Sequence, residues 1–241
     1  MSLQSFEISG DAFSLQPLHL LEEIIHRVAH EYAEAIATLR LAAADAGNAQ
    51  VEAALSNVAN RLRAHADAHR ALLAPAAGGP VDLADYVGQV CASITRASLA
   101  PIGVRLHVDA DEIWLESDRS WRVGLIVAEL IRNAARHGLG EGPGAIRVSI
   151  AEACGWVSCG VSDNGRTTLA AEPSRGRGLV EALAAELGGS VDWWFTPTGC
   201  LARLEIPTTV GPVRWAAEAD PASAVARTAG AAGSARRPWR E

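Results

Sequence analysis

The sequence has no excess of positive charge: Lys and Arg number 21 against 28 Asp and Glu, a formal net charge of −7. A chain of that sign has no general attraction for nucleic acid or anionic membranes, which argues against a phosphate-backbone reader. Cysteines are few. Cys91, Cys154, Cys159 and Cys200 have neither the paired C-x-x-C spacing of a zinc site nor the density of a disulfide scaffold. They read as free, mostly buried thiols in a reducing compartment. The opening MSLQSFEISGDAF lacks a basic region followed by an apolar core. No segment approaches the roughly 18 apolar residues that a membrane span needs. These absences predict a soluble cytoplasmic protein with no nucleic-acid or membrane partner.

What is present is a globular balance, 49% hydrophobic and 20% charged over 241 residues, enough for one large domain or two small ones. From Pro17 to about Leu73 the chain is rich in Ala, Leu, Glu and Arg and is interrupted only at Ala46–Asn48. That composition predicts a helical hairpin around a Gly-containing turn. Leu21, Ile25, Val28, Tyr32, Ala35, Leu39 and Ala42 form one apolar seam; Val51, Leu55, Val58, Leu62, His65, His69 and Leu72 form a second. Neither seam can be buried by its own helix, so two hairpins joined in a four-helix bundle are expected, hence a homodimer, with packing against the second domain as the alternative. On the second seam His65 and His69 are expected to pack or to hydrogen-bond between helices.

Residues 1–17 form an N-terminal extension, 18–74 the hairpin domain and 75–80 a Pro/Gly-rich linker. An α/β domain is expected over 81–207: a helix after Asp82, strands at 104–108 and 113–115, and a long helix from about Asp118 that Gly138 ends as its C-terminal cap. Strands at 146–150 and 156–161 follow, then a helix over about 179–187 and a hairpin from Ser190 to Ile206 through Pro197–Gly199. The pattern predicts a mixed sheet with helices on one face, and Trp193 and Trp194 as packing residues in its last hairpin. Residues 208–241 read as a disordered tail.

Three features carry chemistry. In VGLIVAELIRNAARHGL, Glu129, Asn133 and His137 recur every four residues and make one polar row beside an apolar face. An apolar strand then delivers Asp163 and Gly165 into the turn of VSDNG. In SRGRGLVEALAAEL, Gly176 and Gly178 stand directly before an amphipathic helix, where exposed N–H groups and the helix dipole attract phosphate. Each feature alone is weak; their order between strands is not.

ELIRNAARH, VSDNG and GRGL resemble, in that order, the N, G1 and G2 boxes of the GHKL (Bergerat-fold) ATP-binding domain shared by sensor histidine kinases, gyrase and Hsp90. HRVAHEY followed by NRLRAHADAHRALL is similar to the HisKA-2 group of histidine kinases, related to the HWE group, and the likeness covers roughly Leu18–Pro207. It implies a helical-hairpin dimerisation and phosphoacceptor domain followed by an α/β two-layer sandwich of the GHKL type. It also implies roles. Asn133 would coordinate the Mg²⁺ that bridges the ATP triphosphate, with Glu129 close to that ion or its waters and His137 completing the nucleotide-side row. Asp163 would accept a hydrogen bond from the adenine amino group and Gly165 would leave room for the base. Gly176 and Gly178 would let the lid and helix start approach the phosphates. His26 would take the γ-phosphoryl group and pass it to an Asp of a response-regulator receiver domain. Phosphoryl transfer needs mainly positioning and charge neutralisation, which such a set supplies.

His26 and His30 stand four apart in LEEIIHRVAHEYAEAI, Leu21–Ile36, and helical geometry tests them. At about 100° per residue from Leu21, most seam residues fall within roughly 40° of zero, His26 near 140° and His30 near 180°. Both are expected to face solvent, as a phosphoacceptor must. A zinc pair is the weaker reading, because Arg27 stands where H-E-x-x-H enzymes have Glu. Three departures from the family pattern stand out. His30 and Glu31 replace the usual Asn pair, Thr167 stands where a second G1 glycine is usual, and the lid between Gly165 and Gly176 is short. With only Met1–Pro17 before the hairpin, a separate sensor protein is expected to supply the signal. A rival reading is a histidine phosphotransferase that relays phosphoryl groups between receivers through His26 without ATP. An ATPase lacking phosphohistidine leaves the HRV context unexplained, and a purely structural dimer explains neither site.

Overall fold

The computed structural model describes residues 16–75, 79–165 and 175–209. The expected tail from Val210, the lid over 166–174 and most of the N-terminal extension lie outside those residues. Helices α1 (Gln16–Ala44) and α2 (Ala49–Ala71) form the hairpin. Asn48 caps α2, its side-chain oxygen accepting from the Gln50 N–H at 2.8 Å and the Val51 N–H at 3.4 Å.

The line along which α1 meets α2 differs from the expected seam. Ala29, Ile36 and Ala43 are buried opposite Ala59 and Ala66, whereas Ala35 and Ala42 are exposed. Alanines let the two backbones approach closely, so they form the contact within the hairpin, and the larger side chains lie beside it. His69 packs as expected: its ring stacks on Tyr32 with centroids 5.7 Å apart.

After the hairpin come β1 (Pro80–Asp82), α3 (Leu83–Ile94), a π-helical turn at Thr95–Leu99, β2 (Val104–Ala110), β3 (Trp114–Glu116) and α4 (Ser117–Asn133). The remaining elements are β4 (Gly144–Ala153), β5 (Trp156–Asp163), α5 (Arg175–Glu186), β6 (Ser190–Thr196) and β7 (Gly199–Pro207). The main sheet runs β2-β4-β5-β7-β6. Only the β2–β4 pair is parallel, so the sheet is mixed. The short β1 and β3 pair separately, so the strand expected at 113–115 is not part of the main sheet. Pro80, read as linker, opens β1. Asp82 joins this ribbon to α3 by accepting the Ala84 N–H at 3.0 Å and the Ile113 N–H at 3.4 Å.

Helices α3, α4 and α5 cover one face. Leu83, Val87, Val123, Ile126, Ile131 and Val180 pack there with Ile146, Val148, Cys159 and Leu204 from the strands. The end of α2 is tied into this layer: Leu72 joins the core, and its carbonyl accepts the Trp121 indole N–H at 2.8 Å. Trp193 packs against the core as expected, but Trp194 points away from it and is exposed, because successive residues of an edge strand face opposite sides. Cys91 and Cys159 are buried, Cys200 half-buried and Cys154 exposed, all as free thiols.

Two boundaries shift near the motifs. The α-helix proper of α4 ends at Asn133, and Ala134–Gly138 form a π-helical turn closed by the Leu139 N–H on the Ala134 carbonyl at 2.9 Å. Gly138 is therefore not the left-handed cap; Gly140, at φ +60°, adopts that conformation. Helix α5 begins at Arg175, earlier than expected, which puts Gly176 and Gly178 inside its first turn instead of before it.

Candidate functional site

Asp163 ends β5 beside the π turn that follows α4. Its carboxylate accepts the Gly165 N–H at 2.9 Å and the backbone N–H of Cys200. Burial nevertheless holds its carboxyl above the ordinary value, the two N–H donors pulling only partly the other way. Three glycines wall it in. A Cβ on Gly138 would lie 2.5 Å from the Asp163 Cγ, one on Gly165 would lie 1.9 Å from the Gly138 carbonyl oxygen, and one on Gly199 would lie 2.0 Å from the Asp163 carbonyl oxygen. The sequence reading found Gly165. It missed Gly138, which looked like a helix cap, and Gly199, which looked like a turn residue. Their shared signal, closeness to Asp163, exists only after β5, β7 and the π turn meet.

One turn earlier on α4, Glu129 meets the start of α5. A Cβ on Gly176 would stand 2.0 Å from the Glu129 Oε1, so a larger residue there would require the end of the Glu129 side chain to move. Gly178 has nothing within 4 Å of where its Cβ would be. Oxygen Oε2 of Glu129 accepts from Arg132 Nη2 at 2.7 Å and Nε at 3.1 Å. Asn133 is half-buried, and among the described residues nothing hydrogen-bonds its amide. A carboxylate and a free amide oxygen one turn apart are hard oxygen donors of the kind Mg²⁺ takes, with phosphate and water completing the shell. Among the described residues no group of three His, Cys, Asp or Glu side chains could hold a metal by itself, so an ion here depends on ligands brought with a nucleotide.

Arg177, in the first turn of α5, lies with its guanidinium carbon 4.1 Å from the Trp193 ring centroid and pairs with Glu181 at 3.3 Å. Its charge, and that of Asp163, reach the Cys200 thiol, which burial first and Asp163 second push up to about 11 against the opposing effect of Arg177. Cys200 thus borders the Asp163 pocket as a protonated thiol. His137 is exposed in the π turn. His26 and His30 are both exposed on α1, among which the described residues offer His26 neither a hydrogen bond nor an ion pair. The structure therefore brings together Asp163, Gly165, Glu129, Asn133 and Gly176 around the end of α4. It leaves His26 on the hairpin surface.

A cavity of about 460 Å³ opens beside α4, lined by Glu129, Asn133, Arg132 and Arg136 together with Ile94, Leu99 and Ile102. Asp163 is not part of it.

Comparison with known proteins agrees with this geometry. Residues 23–98 match a family model described as histidine kinase, and residues 80–189 one described as histidine kinase-like ATPase domain, together more than half of the chain. The sensor histidine kinase PdtaS of Mycobacterium tuberculosis is 26% identical over 179 residues, covering 71% of this chain. The chain spans only 36% of that relative's length. The solved histidine kinase domain of the Erythrobacter litoralis EL346 blue-light-activated kinase has a TM-score of 0.53 at 21% identity, covering 80% of this chain and 94% of that one. A solved bacterial phosphotransferase has a TM-score of 0.56 at 18% identity, covering 83% and 99%. The likeness to these two structures is one of fold.

Proposed function

The chain belongs to the histidine kinases, with a HisKA-2 hairpin and a GHKL ATP-binding domain, and from that premise we propose that it phosphorylates His26 from Mg-ATP and passes the phosphoryl group to an aspartate of a response-regulator receiver domain. The observation that carries the reading is the Asp163 pocket, a half-buried carboxylate enclosed by Gly138, Gly165 and Gly199 at the end of the helix that bears Glu129 and Asn133. A carboxylate held by two backbone donors keeps lone pairs for the adenine amino group, and the three glycines let β5, β7 and the π turn close tightly around it. Asn133 and Glu129 would hold Mg²⁺, whose charge offsets the developing negative charge on the transferred group. Orphan N–H groups in the first turn of α5, with Gly178 open beside them, would face the phosphates.

His26 supplies the nucleophile through a neutral imidazole nitrogen. The N–P bond forms as the bond from the γ-phosphorus to the β–γ bridging oxygen breaks, and ADP leaves. Because His26 lies on the hairpin surface and the nucleotide pocket at the end of α4, the ATP-binding domain must move relative to the hairpin, or reach the partner protomer's histidine, for transfer to occur. Division into a hairpin domain at 18–74, a linker at 75–80 and an ATP-binding domain at 81–207 suits that motion. No helix among the described residues is long and apolar enough to cross a membrane. ATP and receiver domains as substrates place the reaction in the cytoplasm in this reading.

A second reading, phosphoryl relay through His26 without ATP, is favoured by the shared fold with the solved bacterial phosphotransferase. Labelled ATP separates the two. The kinase reading expects Mg²⁺-dependent label that is acid-labile and base-stable, lost in His26→Ala and Asn133→Ala. Label acquired only from a phosphorylated receiver, with no ATP binding, would establish the relay.

A further inference from the structure

His26 and His30 stand one turn apart on α1, and both are exposed. Residues at that spacing share one helix face with their Cβ atoms about 5–6 Å apart. Two imidazoles so placed can reach the same ion, each offering the one lone pair of its neutral ring. The ground around them is open. Ala33 and Ala37 continue the same face toward the C-terminus, both exposed and too short to cover the rings. Arg27 lies between the two histidines in sequence, but its guanidinium is drawn back to the preceding turn, where it pairs with Glu23 at 2.8 Å. Glu34, one turn beyond His30, is exposed and adds negative charge at the far end of the pair. The other pair with this spacing, His65 and His69 of α2, is differently placed. Both residues are half-buried, and the His69 ring is stacked on Tyr32.

From this arrangement we propose that His26 and His30 form a two-imidazole clamp for a divalent transition cation of the Zn²⁺ class, and that the bound cation blocks phosphorylation of His26. The block, though not the clamp, rests on the reading of His26 as phosphoacceptor. Imidazole suits Zn²⁺, Cu²⁺ and Ni²⁺, whereas Mg²⁺ takes oxygen ligands, so the clamp ignores the Mg²⁺ that serves the nucleotide. Attack on the γ-phosphorus needs the free lone pair of the His26 ring, and coordination occupies it. Among the described residues no group of three His, Cys, Asp or Glu side chains encloses a metal, so water completes the shell and the cation can leave again. Such a site follows the free concentration of its cation instead of storing it. Asparagine at position 30, the usual residue of the family, would remove one of the two nitrogen ligands, so the clamp belongs to this chain's own departure from the pattern.

The experiment is a calorimetric titration of the full chain with Zn²⁺ in Mg²⁺-containing buffer, without nucleotide. Wild type should show a site that His26→Ala and His30→Asn each weaken by at least about ten-fold, because loss of either ring turns a chelate into a single ligand. His69→Ala should leave that site unchanged. Wild-type affinity kept in His26→Ala or in His30→Asn overturns the clamp. A second arm follows label from Mg-ATP as Zn²⁺ rises. His30→Asn and His30→Ala, which keep His26, should need at least about ten-fold more Zn²⁺ than wild type for half-inhibition. Equal half-inhibition in wild type and both variants overturns the block. A wild type that takes no label even without Zn²⁺ overturns the kinase reading and the block with it, while calorimetry still decides the clamp.

Discussion

Asp163 sits in an environment that opposes its own ionisation. Burial raises its carboxyl above the ordinary 3.8 even though two backbone N–H groups favour the charge. The unfolded chain then releases this proton first as pH rises, so the native state loses stability from about the ordinary aspartate value upward through the folded-state value. Asp163→Asn has no charge to bury, and its amide oxygen can still accept the Gly165 N–H. It should melt at a higher temperature than wild type at pH 7 without nucleotide, with the gap closing toward about pH 4. The same variant should lose at least about ten-fold in nucleotide affinity, because an amide N–H₂ would confront the adenine amino group, donor against donor. A melting series across pH and one binding titration check both halves. A variant that binds nucleotide normally would remove Asp163 from the site. The aspartate itself was legible in VSDNG. Its enclosure was not, since Gly138 and Gly199 stand 25 and more residues away along the sequence and each has a local explanation that suffices alone.

At the scale of elements, two glycines written alike in GRG have different surroundings. Gly176 is pressed against Glu129 by the packing of α5 on α4, and Gly178 faces open space. Gly176→Ala must push Glu129 or the start of α5 aside. Because the atom met is the tip of a flexible side chain, stability should change little, and a loss of Mg²⁺-dependent nucleotide binding is expected as Glu129 is displaced. Gly178→Ala meets no atom and lies in a helix, where alanine gains roughly 0.5–1 kcal/mol over glycine, so it should melt higher than wild type. If its nucleotide affinity also falls, the open space beside Gly178 is where phosphate comes close; unchanged affinity in Gly178→Ala and Gly176→Ala together would remove α5 from the site. Thermal melts with a nucleotide titration read both. Period and punctuation revealed the helices and most strands, because apolar faces must repeat at 3.6 or 2 residues wherever they are built. The π turn at Ala134–Gly138 was illegible for the same reason. Its residues suit an α-helix equally well, and only contact with Asp163 and β5 rewards the wider turn. The line on which α1 meets α2 went unread because alanine is a weak signal of burial, whereas that line consists mainly of alanine.

For the whole molecule, the hairpin leaves unfinished burial. At about 100° per residue, Val51, Leu55, Val58 and Leu62 lie along a stripe beside the Ala59–Ala66 line, and Ile24, Val28, Ala35, Leu39 and Ala42 lie beside the Ala29–Ile36–Ala43 line. Val51 and Val58 are each 46% exposed and Ile24 is 49% exposed, while Leu55, Leu62, Val28 and Leu39 are only partly covered. Covering one Val or Leu completely is worth about 1.5–3 kcal/mol, so pairing two such stripes supplies a driving force that one hairpin cannot. His26 and His30 lie on the other side of α1, which leaves His26 accessible in a four-helix bundle. We predict a dimer by multi-angle light scattering, and Val58→Glu combined with Leu62→Glu should yield a monomer with an intact ATP-binding domain. Incubating that monomer alone with labelled ATP then distinguishes the routes of transfer. A monomer that still labels itself places transfer within one chain. A monomer that has lost its label, although it binds nucleotide as wild type does, makes the partner's histidine the acceptor.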